Sequence, residues 1–228
     1  MARYNVAECS AGFDFPSHMR RLCEDIVARV PELKHIDLSL VAIATARCRK
    51  NVAHGLQAAL TPLRFEDGSR ITIRKGRPWA IQKVVDEDGR EMLYILSFYL
   101  PRFIDAPYKE KLTTIFHELW HISPDFNGDL RRHGGRCYAH TSSQDEYDRT
   151  MWALAEGWLS RDPPDSLHAF LHCDFQELCH RWGHVDGARI AIPKLYPVPR
   201  TMMDEHASDD HRRTKTDPHA APASNQSR

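Results

Sequence analysis

Two histidines and a glutamate at residues 117–121 carry the densest chemical information in the chain. They read His117-Glu118-Leu119-Trp120-His121, an H-E-x-x-H sequence set in an apolar run. Side chains four apart on a helix project from one face, so His117 and His121 can both reach a single metal ion. Glu118 lies one step round the helix, where it can touch a water on that ion without being a ligand itself. The donor set is that of a zinc hydrolase. A catalytic zinc takes three protein ligands and keeps a fourth position open, so a further ligand is required.

The segment after the motif offers candidates. Ser123-Pro124 stops the helix, Asp125-Phe126-Asn127-Gly128 forms a turn, and Asp129-Leu130-Arg131-Arg132-His133-Gly134-Gly135 follows. Gly128 permits the chain to reverse, and Gly134-Gly135 permit a close backbone approach to a metal shell. His133 is the expected third ligand, with Glu156, Asp129 and His140 as rivals. The metzincin pattern is excluded, because its glycine and its third histidine would fall on Pro124 and Asn127.

The HELWHI run, the short gap and the stretch Gly128 to Gly134 resemble the phage-type metallopeptidase family, itself similar to SprT-like zinc proteases. The resemblance extends from about Phe13 to about Pro199, and its specific part is Thr113 to Gly135. It implies a zincin-like fold, with zinc on His117, His121 and His133 and Glu118 as general base. The spacing from His121 to His133 is shorter than in SprT-like proteins. The C-x-x-C pairs of their zinc ribbon are absent from this sequence. The resemblance therefore speaks to reaction type more than to a DNA-linked substrate.

The metal motif needs a helix to carry it. Leu112, Ile115, Phe116, Leu119 and Ile122 recur at helical spacing, with Asp105 and Pro107 as a start signal. Upstream, Pro16 to Val30 reads as an amphipathic helix ended by Pro31, and Ile36 to Thr45 as a buried strand. A β-rich block follows. Leu56 to Phe65 is expected at a sheet edge because of Pro62, and Glu66 to Ser69 turns into Ile71–Arg74. Trp79–Val85 and Glu91–Leu100 flank a hairpin turn at Asp86 to Arg90. One such strand, lying at an edge beside the metal helix, would bind extended peptide through its unpaired backbone groups. Downstream, Ser142 to Asp145 caps a helix over about Glu146–Ser160, with Met151, Trp152, Leu154, Ala155, Trp158 and Leu159 on its apolar face. A further helix is expected from Ser166 to Trp182, then an extended strap over Ile190–Pro199.

The fold expected is α+β, a small, mostly antiparallel sheet packed on the H-E-x-x-H helix, with further helices. Residues 1–15 read as a flexible leader, 16–199 as the domain, and 200–228 as a disordered tail with few apolar residues. Lys plus Arg and Asp plus Glu both number 31, so no global charge draws the chain to nucleic acid or membrane. Local basic clusters occur at Arg47-Arg49-Lys50 and at Arg131-Arg132-Arg136, the second beside the proposed site. The six cysteines show no paired spacing. Without a signal peptide or a spanning run, the expected location is cytoplasmic.

The function expected is zinc-dependent hydrolysis of peptide bonds, acting on a protein or peptide. Glu118 is its base, and Arg131, Arg132, Tyr138 and His140 are candidate second donors to the oxyanion. Glu156 or Asp129 would orient the ligand imidazoles. The alternative is a non-catalytic, zinc-containing binding or regulatory protein acting on a protein or nucleic-acid partner. His168 with His172, and His180 with His184, share the four-residue spacing but lack the Glu, and read as surface residues. A second, structural metal using Cys173 or Cys179 is the weaker possibility.

Overall fold

The computed structural model describes residues 2–3, 12–48, 55–132 and 144–199. In chain order the elements are β1 (Ala2–Arg3), β2 (Phe13–Asp14), α1 (Phe15–Arg29), β3 (Val41–Arg47) and β4 (Ala58–Pro62). Next come β5 (Ile71–Arg74), β6 (Arg77–Ile81), β7 (Val84–Val85), β8 (Tyr94–Leu100), α2 (Arg102–Asp105) and α3 (Tyr108–Trp120). The chain closes with α4 (Gln144–Leu159), α5 (Asp165–His168), α6 (Phe175–Trp182), β9 (Val185–Asp186) and β10 (Leu195–Pro197).

The class is α+β, with a mixed rather than mostly antiparallel sheet. Its central strand is β8, parallel to β3 on one side and antiparallel to β4 on the other. Tyr94, Leu96 and Phe98 face the helices in the larger core, while Ile95 faces a second cluster with Ala42, Ala44, Leu63 and Met92. Burial on both faces explains why β8 reads as an almost continuous apolar run. The hairpin expected around residues 86–90 forms but is short, pairing Val85 with Glu91 and Val84 with Met92. Gly89 adopts φ +79°, and Asp86 and Arg90 are bonded across the turn. The chain then diverges, sending β6 to a sheet with β5 and β10, β7 to β1, and β8 to the central sheet.

α1 begins where Asp14 accepts the Ser17 N–H at 3.0 Å, and it buries Phe15, Met19, Leu22, Cys23 and Ile26. β2, which pairs with β9, lies within the segment read as a leader, and Phe13 is buried. α3 buries Leu112, Ile115, Phe116 and Leu119 completely, as the helical spacing predicts. It also buries Lys111, whose Nζ donates to the carbonyls of Leu171 and Cys173 at 2.9 and 2.7 Å. That pair of bonds satisfies a charge which would otherwise be costly to bury. α4 crosses the same core, with Phe116 and Trp158 rings 6.5 Å apart.

The single helix expected over Ser166–Trp182 is instead broken into α5, a 3-10 turn (Ala169–His172) and α6. The break has a local cause. Asp174 and Glu177 form a reciprocal capping box that starts a new helix at Phe175. A second correction concerns His168, which is buried rather than a surface residue. Its Nδ1 lies 3.0 Å from the Tyr108 hydroxyl, and its ring packs edge-on to Trp158. His172 is exposed and stacks on Tyr108 at 4.0 Å. Cys23, Cys48, Cys173 and Cys179 are free thiols. No helix among the described residues is long and apolar enough to cross a membrane.

Burial holds the His168 imidazole below its ordinary value of 6.5, with the neighbouring His172 acting in the same sense and Asp165 and Asp25 opposing. A lowered folded pKa means the unfolded chain binds the extra proton first. This contribution is complete above pH 6.5 and is lost as pH falls below it. The thermal midpoint should therefore drop between pH 7 and pH 5.5, and the drop should be smaller in His168→Gln. Equal drops in the two proteins, followed by calorimetry, would contradict this assignment.

Candidate metal centre

α3 ends at Trp120, yet His121 keeps right-handed helical angles (φ −66°, ψ −17°), so the i, i+4 relation to His117 survives the helix end. The two imidazole centroids are 4.5 Å apart. One ligand atom from each of His117, Glu118 and His121 can be chosen so that all lie within 4.8 Å of one another. Two half-buried imidazoles and a buried carboxylate at that spacing fit a divalent ion with nitrogen and oxygen ligands. Among the described residues this is the one such group.

Glu118 is only 7% exposed, although it lines a cleft together with His117. Its Oε2 accepts the Leu60 backbone N–H of β4 at 2.7 Å. That donor is available because of register. Tyr99 donates to the Gln57 carbonyl and Leu63 to the Leu93 carbonyl, so residues 57, 59, 61 and 63 face β8. Ala58, Leu60 and Pro62 then turn their backbone groups to the outer edge, and Pro62 has no N–H to offer. Burial pushes the Glu118 carboxyl up to about 7, with the Leu60 bond opposing. A cation beside it would favour the ionised form.

The C-terminal end of α3 is held from the following loop. Arg131 donates its backbone N–H to the His121 carbonyl and its Nε to the Trp120 carbonyl, both at 2.7 Å, while its guanidinium lies 4.1 Å over the Trp120 ring. Asp129 organises the turn before it. Its carboxylate accepts from the N–H groups of Asp67 and Leu130 and from Arg132, and its carbonyl accepts the Tyr94 hydroxyl at 2.8 Å. Gly128 adopts φ +90° against the Arg64 side chain, where a Cβ would come within 2.5 Å of it. Arg64 in turn joins Arg70 and Lys83 around Glu91.

Of the expected site residues, His117, Glu118 and His121 come together. Glu156 is exposed on α4 and lies outside the group, and Asp129 is engaged in the turn rather than on the imidazoles. Arg131 and Arg132 both make internal contacts, Arg131 with the Trp120 carbonyl and Arg132 with Asp129 and Glu66. His133, Tyr138 and His140 fall outside the described residues, as do Arg49, Lys50, Arg136 and residues 200–228. Cys173 and Cys179 join no metal-type group among the described residues.

Two contributions were not legible in the sequence. One is the Leu60 N–H. The other is Tyr147 of α4, whose ring stands 4.8 Å from that of His117 and stacks over His121 at 6.3 Å. Burial, followed by the charge of Glu118, holds the Tyr147 phenol in its protonated form. A cleft of about 1080 Å³ opens from His117 and Glu118 and runs between β4, α3 and α4. Comparison of the chain with protein-family models, curated proteins and solved structures finds no match.

The donor set predicts about one divalent ion per chain. Supporting residues around metal sites cost about 10–100-fold in affinity, so His117→Ala or His121→Ala should cost at least that much in a chelator competition. Glu156→Ala should leave affinity unchanged. Retention of wild-type affinity by both histidine variants would place the ion elsewhere.

Proposed function

We propose that this chain is a zinc-dependent peptidase of zincin type, in keeping with its resemblance to phage-type and SprT-like metallopeptidases. The observation that carries the reading is the meeting of His117, Glu118 and His121 at the end of a cleft bordered by a strand edge. In this reading the ion is zinc and His133 supplies the third protein ligand. Bound zinc would supply Lewis acidity, lowering the pKa of a water from about 16 toward about 7.

Glu118 takes the proton of the attacking water and returns it to the leaving amine. Its Oε2 is committed to the Leu60 N–H, which fixes the carboxylate plane and leaves Oε1 for that exchange. A carboxyl lifted toward neutrality by burial is a stronger base than an exposed one, and the fixed donor limits how far it is lifted. Tyr147, protonated and packed on both imidazoles, is the donor assigned to the oxyanion, in place of Arg131 and Arg132. The outward N–H and carbonyl of Ala58 and the carbonyl of Leu60, whose N–H is held by Glu118, receive the substrate main chain as an added strand.

Glu118→Gln should keep its zinc and lose about 10²–10⁴ in peptide hydrolysis, whereas His133→Ala should lose the zinc as well. Both are read by elemental analysis beside a peptide-cleavage assay on the full chain. Cleavage at the wild-type rate by zinc-loaded Glu118→Gln would end the general-base assignment. A full zinc complement in His133→Ala would move the third ligand elsewhere.

A further inference from the structure

The cleft is longer than a metal centre needs. It extends from His117 past Thr113 and Thr114 to Lys109 and Pro107. The eight residue steps from Lys109 to His117 span about 12 Å of helix, which matches about three to four residues of extended chain. Along the opposite wall run Gly55 to Ala58, the lead-in and start of β4.

That wall is anchored twice. Gln57 donates to Glu110 and accepts from the Thr114 hydroxyl at 3.0 Å, tying the strand to α3. Arg102 donates to the Leu56 carbonyl at 2.9 Å, fixing the backbone of the lead-in. Yet the Leu56 side chain stays 55% exposed. Across the cleft, α4 contributes Trp152, half-buried, with the Lys109 ammonium 4.5 Å from its ring centroid. A large aliphatic side chain held out on an anchored backbone, sharing a cleft with an indole face, marks a place for an apolar ligand group.

Charge does not select the ligand. Beyond Glu118 at the metal end, the cleft carries Lys109 and Arg149 against Glu110 and Asp148. Lys109 is engaged with the indole and Glu110 with Gln57. A uniformly acidic or basic peptide would find no complementary field there. The recognising elements are the backbone groups of the edge strand and the apolar pair.

We propose that the cleft takes an extended peptide with a bulky apolar side chain, aromatic or long aliphatic, about three residues from the bond beside Glu118, seated between Leu56 and Trp152. This rests on the peptidase reading for the position of the scissile bond, but the binding itself does not need catalysis.

The test uses the full-length, zinc-loaded Glu118→Gln chain and dye-labelled octapeptides, followed by fluorescence anisotropy. One Phe or Leu is moved through an otherwise Ser/Ala background, and matched peptides carry Asp or Lys instead. Peptides with a well-placed apolar residue should bind about tenfold or more tighter than the others, in the range hydrophobic pockets discriminate. Trp152→Ala and Leu56→Ser should each remove most of that difference. Leu56 is exposed, so its substitution keeps the test sound if Trp152→Ala fails to fold. Equal affinity for all peptides, or a preference untouched by Leu56→Ser and by a folded Trp152→Ala, would overturn the proposal. Parallel cleavage by the wild-type chain separates the two ideas. Apolar-selective binding without cleavage leaves the cleft assignment standing and removes the peptidase. Cleavage without apolar preference does the reverse.

Discussion

A carboxylate on the apolar side of a helix must be satisfied, and the Glu118–Leu60 bond meets that demand. Leaving such a group unpaired would cost more than an ordinary hydrogen bond contributes. The only backbone donor in β4 that can serve at that point is one turned away from β8, which holds this edge strand in one register. The register of that edge strand and the orientation of the Glu118 carboxylate are therefore coupled through one contact. A one-residue slip of β4 would turn the Leu60 N–H toward β8 and bring Leu60 and Ala58 onto the wrong faces.

The rest of the chain supports the two ends of α3. At its start Lys111 ties the helix to the 169–173 segment, and Tyr108 packs between His168 and His172. At its end Arg131 closes the last carbonyls, and Asp129, Tyr94 and Gly128 hold the returning loop against the sheet. Most of these polar groups are buried, and each reaches its partners through bonds of different elements. Such networks fix a unique arrangement when they are complete and are costly when broken at one member. The positions of His117 and His121 thus depend on residues far from them in sequence.

Residue spacing made much of this readable. The apolar period of 112, 115, 116, 119 and 122 marked the buried face of α3, and the i, i+4 histidines lay together because helix geometry requires it. Pro62 marked an edge strand because proline cannot donate to a ladder on both sides. The corrections arose where local signals compete. A continuous helical pattern over 166–182 concealed the D-x-x-E capping box at Asp174, and His168 looked like a surface residue because nothing local announces Tyr108 and Trp158 above it.

The amino-acid order alone determined the metal-type triad, the helix that carries it and the edge position of β4, since each depends on contacts within a few residues or on the chemistry of a single side chain. Tertiary structure decided which backbone group meets Glu118, which aromatic covers the imidazoles and where the cleft leads. Those partners are 58 and 29 residues from Glu118 in the case of Leu60 and Tyr147, and no periodicity encodes a contact of that separation. It is set by how β4 and α4 pack on the two sides of α3, which is a property of the folded core.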